Sequence, residues 1–249
     1  MLYLIGTGLY YLNDLPFRAV EIIKKADEVY LERYTNPNDI TQLNWLEEIT
    51  GKRITILGRE GVENDALVAA SQNKTVCLLV PGDPLAATTH MSLVTEAVVR
   101  GIDYRIIHAS SIFSAIGETG FSIYKFGRTT SMPIHSENYR PESFFDAIKQ
   151  NTENGMHTLV LLEARDEKNF LGVQAAVDIL KGIERKRGQS VINWEKTLFA
   201  SRLGGEDQVI NFVEKAGNEV HNPPVCLIIP GEVSDYESGA IDTLFGKNS

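Results

Sequence analysis

The sequence predicts an α/β protein of two α/β domains, the N-terminal one on a mostly parallel sheet and the C-terminal one on a mixed sheet. Three observations predict it. Through the first half, short and almost wholly apolar runs alternate with stretches of helical period, the pattern of strands covered on both faces. In the second half the strands turn apolar or alternating and are parted by turn signals such as Gly204-Gly205 and Asn222-Pro223-Pro224. A chain of 249 residues is also long enough for one large domain or two smaller ones, each with a real core. The expected domains are residues 1–120 and 121–249, divided near Gly120–Gly127.

Each element has its own signal. Leu2–Ile5 is a buried strand, and Asp14 and Pro16 mark a helix start, with Phe17, Val20 and Ile23 on one face. Val29–Leu31 is a second strand, ending at Glu32-Arg33-Tyr34. Leu43, Leu46 and Ile49 repeat at helical spacing, and Gly51 stops that helix. Ile54–Leu57, Ala66–Ala70 and Val76–Val80 continue the alternation, followed by a helix at Ser92–Arg100 and a strand at Tyr104–Ile107. Beyond the boundary, Pro141–Asn151 predicts a helix and Thr158–Leu162 a strand. Val173, Ala176, Val177 and Leu180 stripe a long helix. Strands follow near Thr197–Arg202, Val209–Val213 and Val225–Ile229. VCLLVPGD, ending at Asp83, echoes VCLIIPGE, ending at Glu232; no wider repeat accompanies it, so convergence of two buried strands is favoured over duplication.

Composition removes several function classes. The net charge of −9 is spread along the chain, which argues against a nucleic-acid partner. The basic cluster Arg185-Lys186-Arg187 precedes Gly188 and fits the C-terminus of a helix. Neither cysteine, Cys77 or Cys226, has a partner at metal-ligand spacing, and the five histidines are scattered, so no metal site is expected. No apolar run is long enough to span a bilayer and no signal peptide opens the chain, so a cytoplasmic protein without a membrane partner is expected.

Three strand exits could carry chemistry. Gly6-Thr7-Gly8 follows the first strand, but the dinucleotide fingerprint needs a third glycine where Tyr11 stands, and the next helix begins several residues later. A nicotinamide enzyme using Glu32 for the ribose survives only as a weak alternative. PGDPLAATTH, Pro81 to His90, is a rigid turn in which Asp83 either meets a small polar ligand or bonds local N–H groups. HASSIFSAIGETG, His108 to Gly120, runs from a strand into Ser110-Ser111, where the bland reading is an N-cap and the functional one a terminus that receives a carboxylate. Parallel strands put all such exits on one edge of a sheet, so the three together can define one pocket. There is no G-x-x-x-x-G-K-[ST] and no G-x-S-x-G.

LYLIGTGLY, LERYT, PGDPLAATTH, HASSIFSAIGETGFSIYKFGRT and HTLVLLEAR, in this order and spacing, closely resemble the diphthine synthase family. That family belongs to the class of S-adenosylmethionine methyltransferases that includes the tetrapyrrole methylases. The resemblance runs from Met1 to the strand near Val225, and GDPLAATTH with SIYKFG is its specific part. It implies a tetrapyrrole-methylase-like pair of domains with the cofactor in the cleft between them, and a homodimer. It also implies repeated methylation of the amino group of a modified histidine on elongation factor 2, giving diphthine, with S-adenosyl-L-homocysteine as the other product. The archaeal look of the compact chain suggests trimethylation. Carried over by motif, the cofactor contacts would be Leu9, Asp83, Ala86, Ser111, Ile112, Leu162, Leu203 and Val225. Thr7 departs from the family's usual apolar residue, and Val225 stands where a relative carries histidine; contacts made by backbone survive both changes.

Displacement at a sulfonium methyl is in-line, so positioning can supply most of the rate. An ordinary α-amino group has a pKa of about 7.7–8.0 and is partly neutral near pH 7. No essential catalytic dyad is therefore expected, no catalytic residue is assigned, and Asp83 is expected to fix the cofactor rather than shuttle protons. Competing readings are a methylase for a tetrapyrrole or other small molecule, the nicotinamide enzyme, and a noncatalytic nucleotide-binding regulator.

Overall fold

A computed structural model describes residues 1–34, 42–165, 168–217 and 219–246; Thr35, which closes the LERYT segment, lies outside them. The chain forms two compact units, Met1–Phe113 and Ser114–Ser249.

In the first unit, β1 (Leu2–Gly6), β2 (Glu28–Glu32), β3 (Ile54–Leu57), β4 (Val76–Val80) and β5 (Tyr104–Ile107) form one sheet in the order β3-β2-β4-β1-β5. Every pairing in it is parallel. The connections carry α1 (Phe17–Ile23), α2 (Leu43–Thr50), α3 (Arg59–Glu63), α4 (Ala66–Ala70) and α5 (Met91–Val99). The all-apolar strands follow from burial on both faces: Leu2, Leu4, Val76, Leu78 and Val80 pack into one cluster. Their alternates Ile5, Cys77 and Leu79 pack into another. Gly51, in left-handed conformation at φ +67°, ends α2 as the sequence reading expects. The reading of α1 needs correction. Phe17 is 82% exposed, and the buried positions are Ala19 and Ile23, so the helix turns a different stripe to the sheet.

A one-turn helix α6 (Ile112–Ala115) leads the chain onward. The second unit contains β6 (Thr130–Met132), α7 (Ser143–Glu153), β7 (Thr158–Leu162), α8 (Val173–Arg187), β8 (Leu198–Ser201), β9 (Val209–Phe212), β10 (Val225–Ile229) and α9 (Asp235–Phe245). Its sheet runs β6-β7-β10-β8-β9. Only β6–β7 is a parallel pair; β10 is antiparallel to both neighbours, and β9 to β8. The mixed sheet is thus as expected, while β6 and α9 are additions. Phe144, Phe145, Leu180 and Phe199 fill the core on one face. Gly188, at φ +61°, caps α8. Lys186 and Arg187 in its last turn pair with Glu142 at 2.7 and 2.8 Å, so this basic cluster is structural.

A buried polar knot fixes the end of β10. Glu237, 1% exposed, caps α9 in a reciprocal box with Ser234. Its carboxylate also accepts from Lys125 Nζ at 2.7 Å, Ser122 N–H at 3.0 Å and His157 Nε2 at 3.0 Å. Gly231 N–H donates to His157 Nδ1, so the ring carries its proton on Nε2. Burial would raise the Glu237 carboxyl, but bonds from Lys125, Ser234, Ser122 and His157 outweigh it and hold the group far below the usual carboxylate range. Burial also lowers His157, against the opposing pull of Glu237. Lys125 of SIYKFG is therefore a structural anchor.

Candidate functional site

The exits of β1, β4 and β5 in the first unit meet at one edge of the sheet, as parallel topology requires. The contacts are close. A Cβ on Gly6 would lie 2.5 Å from Gly82 O, 2.9 Å from Ala109 Cβ and 3.0 Å from Pro84 Cδ. Gly8 and Gly82 exchange backbone bonds, N–H to O at 3.2 Å one way and 2.9 Å the other. Gly8 sits at φ +80°, with Asp14 packed where its side chain would be. Both glycines of the G-x-G are explained by neighbouring chain rather than by a phosphate.

Asp14 settles which ligand fits. Its carboxylate accepts from Leu9 N–H at 3.1 Å and Tyr10 N–H at 2.9 Å. The N–H groups that would cradle a pyrophosphate are thereby occupied, and a negative group stands beside them. Asp14 ends a 3₁₀ turn, Tyr11–Asp14, instead of starting α1. Glu32 is fully buried and accepts from Tyr34 N–H at 3.1 Å, out of reach of a ribose. The nicotinamide reading fails on both counts.

Asp83 joins two of the exits. One oxygen accepts from Leu85 N–H at 3.0 Å, and the other from Ala109 N–H at 3.3 Å and His108 Nδ1 at 2.7 Å. Of the two roles weighed for it, ligand contact and local N–H bonding, these bonds are of the second kind, and they reach further than expected: Asp83 closes its own turn and ties that turn to the segment that follows β5. Ala86 is half-buried and donates its N–H to Asp83 O, while Ala87 holds a left-handed φ of +57°. Thr88 Oγ1 donates to Pro84 O at 2.9 Å, stiffening the same loop. Ser111 is buried and Ile112 half-buried at the start of α6. The functional alternative weighed here, a helix terminus that receives a carboxylate, finds little support from the helix itself. α6 has four residues before the backbone tightens into a 3₁₀ turn, too few for a useful dipole.

The residues expected from the second unit gather at one end of its sheet. Val225 opens β10 opposite Ser201 of β8, and Leu162 closes the adjacent β7. Arg202 N–H donates to Pro224 O, and Leu203 follows directly. Leu162, Leu203 and Val225 are 7%, 5% and 5% exposed, so their side chains are core and any ligand contact falls to their backbone.

Cys77 and Cys226 are buried and unpaired, their thiols pushed up by burial to about 12, which makes them inert packing. Among the described residues no cluster of three or more His, Cys, Asp or Glu could hold a metal, and no helix is long and apolar enough to cross a membrane. Two residues of the first-unit site were not foreseen. In the sequence Asp14 stands as a helix signal, and His108 only as the start of a segment.

The donor set suits a particular chemistry. Asp83 and Asp14 are acidic, and their positions favour a ligand with positive charge and few anionic groups over a phosphate ester. S-adenosylmethionine, with a sulfonium and an ammonium against one carboxylate, is such a ligand.

Comparison with known proteins agrees. The family model for Tetrapyrrole (Corrin/Porphyrin) Methylases matches residues 1–216. The chain is 38% identical to the diphthine synthase of Methanocaldococcus jannaschii over 253 residues, covering 98% of each. It is 36% identical to that of Methanosarcina barkeri, covering 99% of this chain and 96% of the other. A crystal structure of diphthine synthase superposes with a TM-score of 0.84 at 28% identity, over 98% of this chain and 95% of that one. The chain therefore belongs to the tetrapyrrole methylase family and is a methyltransferase that uses S-adenosylmethionine as its donor.

Proposed function

We propose that the chain transfers methyl groups from S-adenosylmethionine to the amino group of a modified histidine on elongation factor 2, forming diphthine. The observation that carries this reading is full-length similarity to diphthine synthases, together with an acidic site edge that suits a sulfonium. The methyl donor is held through Leu9, Asp83, Ala86, Ser111 and Ile112 in the first unit and through backbone at Leu162, Leu203 and Val225 in the second. The enzyme works in the cytoplasm as a homodimer, without a nucleic-acid or membrane partner, and adds three methyl groups. Asp83 holds the donor's surroundings in place. An in-line displacement needs that fixed geometry above all else.

The test is direct. The protein is incubated with S-adenosylmethionine and elongation factor 2 carrying the unmethylated precursor, and the modified-histidine peptide is weighed by mass spectrometry. Three added methyl masses are expected. A parallel reaction with a tetrapyrrole acceptor is expected to add none. Methylation of the tetrapyrrole alone overturns the assignment of substrate while leaving the family intact.

A further inference from the structure

Methylating an amine more than once raises a proton problem. Each transfer turns a neutral amine into a positively charged ammonium, and a second transfer to the same nitrogen cannot begin until a proton has left. A free amine with a pKa of about 7.7–8.0 sheds some of its protons to bulk water near pH 7. A positioned neighbour that takes the proton raises the neutral fraction at the moment of transfer.

The edge described above contains a group built for this. His108 directly follows β5 at the meeting point of the three exits, and its side chain is 67% exposed. Its Nδ1 lies 2.7 Å from Asp83 Oδ2. That carboxylate also accepts N–H bonds from Leu85 and Ala109, so it is the acceptor toward the ring as well. The proton of a neutral imidazole is thus held on Nδ1, and the lone pair is left on Nε2, directed away from Asp83. A carboxylate that fixes the tautomer and orientation of a histidine, whose far nitrogen is open, is the general arrangement of a positioned base. Asp83 is the ionisable side chain bonded to His108. On the adjoining β1 exit the nearby acid is Asp14, whose carboxylate is turned to the N–H groups of Leu9 and Tyr10. The two buried histidines lack this form. His157 spends both ring nitrogens inside the second unit, and His90 is 1% exposed.

We propose that His108 is the proton acceptor for the substrate amine, with Asp83 holding its ring so that Nε2 faces the ammonium between methyl transfers. In one cycle the ammonium N–H bond breaks, its electron pair stays on nitrogen, and the proton moves to Nε2. The amine pair then forms a bond to the methyl carbon while the carbon–sulfur bond breaks, its electrons neutralising the sulfonium to a thioether. His108 passes its proton to water through its exposed face. Each cycle consumes one sulfonium and releases one proton.

This inference rests on the proposed amine substrate, and the experiment separates the two. Wild type, His108→Asn and His108→Ala are assayed with S-adenosylmethionine and precursor-bearing elongation factor 2 from pH 6.5 to 9, with products weighed and donor binding measured calorimetrically. Asparagine keeps an N–H at the δ position for Asp83 but has no second nitrogen. H108N is expected to bind the donor within about twofold of wild type and to turn over about tenfold more slowly at pH 7, the order set by the neutral fraction of such an amine. The deficit should close toward pH 9, and partly methylated product should accumulate. H108A is expected to weaken donor binding as well. An H108N enzyme with the wild-type pH profile and fully methylated product overturns the inference. So does an H108N enzyme uniformly slow at every pH. If wild type adds no methyl mass, the amine substrate and the inference both fail.

Discussion

Two segments of nearly identical sequence, VCLLVPGD at residues 76–83 and VCLIIPGE at residues 225–232, end in opposite circumstances. Both are central strands buried along their length. β4 lies between parallel neighbours, so its Pro-Gly-acid exit meets the exits of β1 and β5, and the acid at 83 reaches out to His108 and Ala109. β10 lies between antiparallel neighbours, so its exit meets the beginnings of β7 and β8 instead, with Ile229 opposite Thr158 and Ile228 opposite Leu198. There the glycine and the acid at 231–232 use backbone, Gly231 N–H to His157 and Glu232 N–H to Gly155 O. The second-unit residues proposed to touch the donor lie at the other end of β10, where Val225 begins it. One local sequence gives a binding edge or a structural plug according to the direction of the strands beside it.

If the second exit is a plug, removing its anchor should cost stability and leave chemistry alone. Glu237→Gln strips a buried carboxylate from Lys125, Ser122 and His157, and a loss of about 3 kcal/mol is expected, at the lower end for a broken buried pair because Lys125 is a third exposed. The pH dependence follows in sign. Glu237 is depressed in the folded state, so its stabilisation is complete above the ordinary carboxylate range and fades as pH falls through its lowered value. His157 is also depressed, so its share begins to fade below its ordinary value of 6.5. Denaturant midpoints of wild type should fall from about pH 6.5 downward, and those of E237Q should converge on them in acid. A constant gap between the two curves down to the lowest pH would show that the carboxylate's charge is not what stabilises the knot.

The glycines of the two exits make a matched pair. Gly6→Ala drives a methyl against Gly82 O, Ala109 Cβ and Pro84 Cδ, and Gly231→Ala drives one to 2.4 Å from Met156 O. Both are expected to lose about 1–3 kcal/mol of stability, as overpacked sites do. They should part in binding. G6A pries apart the three exits and should weaken S-adenosylmethionine by at least about tenfold, a loss of about 1.4 kcal/mol. G231A should bind as wild type below its lowered melting temperature. Equal affinity for the donor in both variants would place the donor away from the first-unit edge.

The sequence made the frame readable where burial dominates. β4, β7 and β10 carry the predicted boundaries because their buried apolar runs have few other uses. Gly51 and Gly188 stop α2 and α8 because the left-handed cap leaves little choice. What was hidden depends on partners distant in sequence. Phe17 looked like core by spacing, but the face that α1 buries is set by the sheet beneath it. α9 was signalled only by Ser234-x-x-Glu237, a capping box, since Gly239 and its few apolar residues blur the helical stripe. The pairing of Asp83 with His108, 25 residues on, follows from strand order, which one sequence does not print. Asp14 was misread for the same reason: it bonds backward to the glycine loop rather than forward into a helix.

The smallest expected effects come from the two acids of the echoed segments, and their contrast is the finest test of the comparison. Asp83 is held at 13% side-chain exposure by three N–H donors from two loops. Asp83→Asn keeps the shape but leaves those donors facing an amide that can accept with one oxygen only, so one loop loses its tie. Bonds to a charged group contribute about 1.5–3 kcal/mol, and a neutral amide recovers part of that. The expected result is roughly a tenfold loss of donor affinity, or about 1.4 kcal/mol, with a smaller change in melting temperature. Glu232 is exposed, and its contributions are the backbone N–H to Gly155 O and the carbonyl that accepts from Lys125. Glu232→Gln leaves both in place and should change stability and affinity by no more than about 0.5 kcal/mol. Isothermal titration of both variants with S-adenosylmethionine decides it. Should D83N keep full donor affinity and yet abolish turnover, Asp83 would serve the proton chemistry directly, and its role as the tie between the two exits would be lost.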